Sequence, residues 1–155
     1  MGVPVILELR PAELEAIRAH AERAHPEECC GLLAGRLPAD FGSPAARLSA
    51  TESVPLENKA ASYRTNRFTF DPLAQAKAER ALEARGLAVL GVYHSHPDAP
   101  AWPSPYDLEN AWPSYAYLIV SSGRGAGDAR VWTLAADRRS FLEGTVQLKE
   151  DLCPS

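Results

Sequence analysis

Leu87-Ala88-Val89-Leu90-Gly91-Val92-Tyr93-His94-Ser95-His96-Pro97 is the stretch that decides the fold. An apolar run of this length, bounded by Gly86 and Pro97, reads as a buried central strand over Leu87–His96. Residues i and i+2 of a strand share one face, roughly 6–7 Å apart along the chain. The imidazoles of His94 and His96 can therefore converge on one ion. A carboxylate, Asp107, follows in the next element. Two histidines and one aspartate are three ligands of the types zinc accepts, with a fourth position left for water. That ligand count belongs to a catalytic metal and points to hydrolysis.

The rest of the chain builds outward from this strand. Val3–Leu9 reads as a first strand. Pro11 suits the first turn of a helix carrying Leu14, Ile17, Ala21 and Ala24 at helical spacing, which ends at Pro26. Cys29–Ala34 reads as a short buried strand, Leu37–Pro44 as a loop punctuated by Pro38, Gly42 and Pro44, and Ala46–Val54 as another strand. Leu56–Asn66 lacks periodicity and reads as an exposed connection. Asp71-Pro72 caps and starts a second helix with an apolar stripe of Ala74, Ala78, Ala81 and Leu82, closed by Gly86.

Beyond the central strand, Ser104-Pro105 starts a short third helix that stops by Pro113. Tyr115–Ser121, Ala129–Ala135 and Ser140–Leu148 read as strands. The glycine-rich stretch 123–127 is a turn rather than a phosphate loop, because strands flank it and no helix comes after it. With no repeat and no linker, residues 1–155 read as a single domain. The element order predicts an α/β (α+β) fold: one mixed sheet with helices packed on it.

Composition narrows the function. Hydrophobic content of 46% and charged content of 23% are globular values. Net charge is −4 and no Lys/Arg stripe is present, so a nucleic-acid partner is not expected. No run of about 18 apolar residues exists, so no membrane span is expected. Met1–Ile6 lacks a basic segment and a small-residue cleavage site, so no signal peptide is expected either. The three cysteines, Cys29, Cys30 and Cys153, make a poor disulfide framework. A reducing cytoplasm suits them better.

Each site residue has a plain structural reading as well. An isolated H-x-H is more often a pair of packed or solvated histidines, but this pair ends its strand, where ligand sites gather. Ser104-Pro105-Tyr106-Asp107 is an Asp-for-Glu capping box. That reading and metal binding need not compete, since Asp107 in the first turn can serve a cap and face a cation. Glu28, in His25-Pro26-Glu27-Glu28-Cys29-Cys30-Gly31, is placed to act as a general base, whereas Glu27 reads as solvated. Adjacent Cys29 and Cys30 point to opposite faces of a strand and read as small buried residues. His20 and His25 read as solvated, and Trp102 as a loop aromatic that packs or meets substrate.

With these residues assembled, the chain resembles the JAMM (MPN-plus) metallopeptidase family. His94-Ser95-His96 is followed by seven residues from Pro97 to Pro103, then Ser104, two residues, and Asp107. Pro26-Glu27-Glu28-Cys29-Cys30-Gly31 matches the family's upstream P-x-E-x-C-G and selects Glu28 over Glu27. The resemblance implies a mixed, curved sheet flanked by helices, similar to the cytidine deaminase architecture. It implies that His94, His96 and Asp107 hold one zinc ion. Glu28 would move the proton of the attacking water, and Ser104 would hydrogen-bond the oxyanion.

Pro55-Leu56-Glu57-Asn58 and Phe68-Thr69-Phe70-Asp71-Pro72 resemble bacterial members that act on ubiquitin-like sulfur-carrier proteins after a C-terminal Gly-Gly. Ala60–Phe68 is the expected edge along which such a tail would add as a strand. Family members often dimerise, so a homodimer is an expectation. A nucleobase deaminase would need H-x-E and P-C-x-x-C, and neither motif occurs. A DNA-repair relative is disfavoured by the acidic balance. A non-catalytic MPN scaffold is the remaining alternative, although such members usually lose the ligands kept here.

Overall fold

The computed structural model describes residues 4–40 and 46–152. Val3, the Phe41–Pro44 end of the first loop and Cys153 lie outside the described residues. The chain runs β1 (Ile6–Leu9), α1 (Pro11–Ala24), β2 (Cys30–Gly35), β3 (Arg47–Ala50), β4 (Glu52–Leu56), α2 (Pro72–Glu83) and β5 (Ala88–Pro97). It continues with α3 (Pro105–Glu109), β6 (Ala116–Ser122), β7 (Ala129–Leu134), β8 (Phe141–Glu143) and β9 (Thr145–Leu148). The mixed sheet flanked by helices is present, and its hydrogen bonding divides into two units. A six-stranded sheet has the order β4-β2-β5-β6-β7-β8, and a three-stranded sheet has the order β3-β1-β9.

Two segments read as continuous strands are each split between the sheets. Ala46–Val54 becomes β3, parallel to β1, and β4, antiparallel to β2. The change of partner falls at Thr51, whose N–H donates to the Ala34 carbonyl and whose own carbonyl accepts from the Arg10 guanidinium. Ser140–Leu148 becomes β8 and β9, with the crossing at Gly144. Its N–H donates to the Val131 carbonyl at 2.8 Å, and a Cβ there would collide with the Val5 carbonyl oxygen. Both segments alternate like strands, so periodicity alone does not show a change of partner.

β5 lies between β2, which is antiparallel to it, and β6, which is parallel. A parallel neighbour requires a crossover, and residues 98–115 with α3 supply it. Tyr93 and Leu90 belong to the core with α1, where Leu14, Ile17 and Ala21 bury the helix against Leu33, Leu118 and Val120. Val92 faces the other side, among Leu32, Tyr117, Ile119 and Trp132. Neighbours along a strand face opposite ways, so His94 and His96 follow Val92 rather than Tyr93. No helix among the described residues is long and apolar enough to cross a membrane.

Candidate metal centre

The end of β5 and the start of α3 meet. His94 Nε2 lies 3.2 Å from His96 Nε2, and Asp107 Oδ2 lies 3.3 Å from the first and 3.1 Å from the second. All three side chains are buried. Two ligands about 2.0–2.1 Å from a tetrahedral ion stand about 3.3–3.4 Å apart. The observed triangle therefore has the size of one face of such a site. The ligand-type atoms of Glu28, His94 and His96 also lie within 4.8 Å of one another, so a buried Glu/His/His cluster adjoins the triangle.

The rings are oriented by what lies behind them. His96 Nδ1 is 3.1 Å from the Pro100 carbonyl oxygen. A carbonyl can only accept, so Nδ1 carries the proton and Nε2 keeps its lone pair for a cation. His94 Nδ1 has no hydrogen-bond partner among the described residues, and the ring is held by stacking on Phe68, centroids 4.7 Å apart at 27°. Asp107 completes the capping box: its Oδ2 accepts from the Ser104 N–H at 2.9 Å while Ser104 Oγ accepts from the Asp107 N–H at 3.1 Å. One oxygen, Oδ2, thus faces both the helix start and the histidines.

The charges are those of a site built for a cation. Burial alone would raise Asp107, but His94, His96 and the Ser104 N–H hold its carboxyl well below the usual carboxylate range. Burial would lower His96, and the neighbouring Asp107 carboxylate outweighs it, raising the imidazole. Glu28 is only 3% exposed and its Oε1 has no hydrogen-bond partner among the described residues. Burial pushes its carboxyl up to about 7, against the pull of His94 and His96. A carboxylate that titrates near neutrality is suited to take and return a proton. Burial raises the Cys29 and Cys30 thiols to about 11 and about 12, so both are neutral thiols at neutral pH when no metal is bound.

Glu28 is held in place by residues that sequence reading missed. Ser95, between the two histidines, accepts the Cys29 N–H on its Oγ at 2.8 Å and donates its own N–H to the Cys29 carbonyl. Asn58 donates to the carbonyls of Glu28 and Arg67 and accepts from the N–H groups of Ala60 and Thr69. The Glu28 N–H donates to the Arg64 carbonyl at 2.7 Å. The segment from Asn58 to Thr69 is thereby closed into a loop against the site. Ala60–Phe68, expected as a strand edge, is not a strand, because Asn58 and Glu28 take up its polar groups at Ala60, Arg64 and Arg67. Phe68 leaves this loop directly over His94. His20 is also partnered rather than solvated, its Nδ1 2.8 Å from the Tyr93 hydroxyl, and His25 pairs with Asp98 at 3.0 Å.

Proteins with named activities are similar to this chain in sequence. A probable TtuB-protein conjugate cleaving protease of Thermus thermophilus is 42% identical over 109 residues, 70% of this chain and 66% of that protein. A desampylase of Haloferax volcanii is 36% identical over 80% of this chain and 83% of its own length. A CysO-cysteine peptidase of Mycobacterium tuberculosis is 34% identical over 78% and 77%. Among solved structures, a Desulfitobacterium hafniense protein studied in solution superposes with a TM-score of 0.79 at 33% identity, covering 94% of each chain. A JAB1/MPN domain protein of Archaeoglobus fulgidus, at 21% identity and a TM-score of 0.53 over 90% of this chain and 98% of its own, shares the fold. Residues 11–135 match the family model for prokaryotic homologs of the JAB domain, and the chain belongs to that family.

Proposed function

We propose that this protein is a zinc-dependent peptidase or isopeptidase that hydrolyses the bond after the C-terminal Gly-Gly of a ubiquitin-like sulfur-carrier protein. The observation that carries the reading is the buried His94–His96–Asp107 triangle with edges of 3.1–3.3 Å, beside a partnerless Glu28 carboxylate oxygen. One zinc ion held by those three side chains would polarise the scissile carbonyl and lower the pKa of an adjacent water. Glu28 accepts a proton from the attacking water and delivers it to the leaving nitrogen. Ser104 Oγ already accepts from the Asp107 N–H, so its own hydroxyl proton is free to donate to the oxyanion.

A cavity of about 260 Å³ opens beside the triangle, lined by Phe68, Tyr106, Trp112 and Tyr117 among others. It flanks His94 through Phe68 and Asp107 through Tyr106, and it is the side on which the carrier's tail lies. The sulfur-carrier reading rests on the activities named for the relatives. We further read the chain as one metallopeptidase domain working in a reducing cytoplasm, where Cys29 and Cys30 remain free thiols. Pairing of two copies is part of the same reading, and sedimentation measures it.

The test is to incubate zinc-loaded protein and a Glu28→Gln control with ubiquitin-like carriers extended beyond Gly-Gly, reading products by intact mass. The reading expects loss of the extension with the unaltered protein alone. No cleavage of any carrier, with zinc bound, would point to a different peptide substrate or to the scaffold alternative.

A further inference from the structure

We infer that Asp128 is a positioning residue for His96: its carboxylate acts through the Pro100–Ala101 peptide group to fix the imidazole and make Nε2 a stronger donor to the ion. The inference rests on the metal reading above and deepens that same site.

The two ligand histidines are supported differently. His94 is backed by the Phe68 ring, and His96 by the Pro100 carbonyl, 3.1 Å from its Nδ1. That carbonyl belongs to the same peptide group as the Ala101 N–H, which donates to Asp128 Oδ2 at 3.1 Å. Imidazole, peptide and carboxylate thus form one chain of two hydrogen bonds, both running the same way. His96 donates to the peptide, and the peptide donates to Asp128. Bonds in such a chain polarise one another, each strengthening by on the order of 10–30%. A negative charge at the N–H end makes the carbonyl a better acceptor for the Nδ1 proton. A metal-ligating histidine often gives that proton straight to a carboxylate, which raises the basicity of the ligand. Here a peptide group stands between the two.

The fold keeps the middle of this chain dry. Ala101 is fully buried, and its carbonyl accepts the Trp132 Nε1–H at 3.0 Å. The Ala99 carbonyl accepts from Ser121 Oγ at 2.7 Å, and the Asp98 N–H donates to the Ser122 carbonyl at 2.8 Å. The loop leaving β5 is thereby clasped by β6 and β7 at successive residues. Asp128 is placed by its own backbone: its carbonyl accepts the Ser121 N–H at 2.9 Å and extends the β6–β7 pairing by one residue. The other clasps carry no net charge. What Asp128 adds is a negative charge in line with the peptide dipole. Arg130 tempers it, with Nε 3.1 Å from Oδ1 and 3.3 Å from Oδ2, while Arg130 Nη1 also pairs with Glu143 at 2.9 Å.

The experiment compares the full chain with Asp128→Asn, Asp128→Ala and Trp132→Phe. Asparagine keeps an oxygen for the Ala101 N–H and loses the charge. Trp132→Phe removes a clasp on the same loop and leaves the charge. Zinc affinity is measured by chelator competition. The ring N–H protons are followed by NMR of the zinc-loaded proteins labelled with 15N-histidine, in which only four histidines contribute. A direct outer partner is worth about 10–100-fold in metal affinity, and Asp128 acts one peptide group further out, so D128N is expected to bind zinc about three- to tenfold more weakly. Its His96 Nδ1 proton moves upfield while the His94 ring signals stay in place. Trp132→Phe lowers the melting temperature and leaves the His96 proton where it was. If D128N matches the unaltered protein in affinity and in the His96 signal, and only D128A falls, Asp128 is a tether for the loop and the inference is overturned. An equal upfield movement in W132F and D128N overturns it as well. If the unaltered protein binds no zinc, the metal reading itself fails, and the inference with it.

Discussion

Phe68 lies flat against His94, ring centroids 4.7 Å apart and planes inclined by 27°. The stacking stands where a hydrogen bond would ordinarily hold a metal-ligating imidazole, because His94 Nδ1 has no partner among the described residues. Removing such a support typically costs 10–100-fold in metal affinity. Phe68→Ala is expected to weaken zinc binding by about tenfold in a chelator competition, with the fold retained by circular dichroism. Unchanged affinity would show that Ser95 and the β5 backbone orient His94 unaided.

Metal removal gives the broadest prediction. Chelation is expected to abolish hydrolysis and added zinc to restore it. Ligand binding to the folded state alone stabilises by RT ln(1 + [L]/Kd), about 2.7 kcal/mol at a hundredfold excess over Kd. The melting temperature of the unaltered protein should rise with zinc. That of Asp107→Ala should rise much less, which differential scanning fluorimetry reads directly.

Glu28 makes a prediction with a definite sign in the metal-free protein. Its folded pKa is raised from 4.5 to about 7, so between those values the native state holds a proton that the unfolded state has lost. Stability contributed at this position is complete below pH 4.5 and declines as pH rises to about 7. The full shift corresponds to an upper limit of about 3 kcal/mol. Metal-free Glu28→Gln is expected to be more stable than the unaltered protein at pH 8 and nearly equal to it at pH 4.5. Urea unfolding at the two pH values measures it, and an equal difference at both would contradict it.

Ser104 has two jobs that substitution can separate. Ser104→Ala removes the cap, at about 1 kcal/mol, together with the proposed oxyanion donor. Ser104→Thr keeps a hydroxyl that caps nearly as well. Threonine is expected to recover most of the melting temperature. If alanine lowers kcat by more than its stability loss explains, the hydroxyl acts in the reaction itself.

Asn58 should be the most sensitive polar residue outside the triangle. Four hydrogen bonds join its amide to Glu28, Ala60, Arg67 and Thr69. Asn58→Ala leaves the part-buried backbone groups of Glu28 and Ala60 without these partners, at about 1 kcal/mol, and loosens both Glu28 and Phe68. Lower stability with a matching fall in kcat is expected. Asn58→Asp, unable to donate to the two carbonyls, should behave similarly.

The triangle was legible in the sequence because its spacing is local and rigid. A strand sets His94 against His96, and a capping box sets Asp107 three residues after Ser104. Glu28 was a candidate base in the sequence and was selected over Glu27 only through resemblance, since nothing in residues 26–31 reveals that β2 pairs antiparallel with β5 and brings Cys30 opposite His94. The connection from Leu56 to Asn66 was legible as irregular, but the way Asn58 closes it against the site was not. Its four bonds reach residues up to 30 positions away, and its backbone follows no period. The breaks at Thr51 and Gly144 were hidden for a related reason. Each lies inside a stretch with good strand character, and only the second sheet, which is a tertiary fact, decides where the partner changes.

α3 has five residues, well short of the roughly 12–15 that an isolated helix needs in water. Its order is borrowed, and the lender is Asp107 Oδ2, which answers the Ser104 N–H and the two imidazoles at once. Occupancy of the triangle and winding of this turn are therefore coupled through one atom. Amide hydrogen exchange at Asp107 and Leu108, whose N–H groups close the first turn on Ser104, becomes a gauge of how much of the protein carries its ion. It would read loading in a sample with no substrate and no turnover.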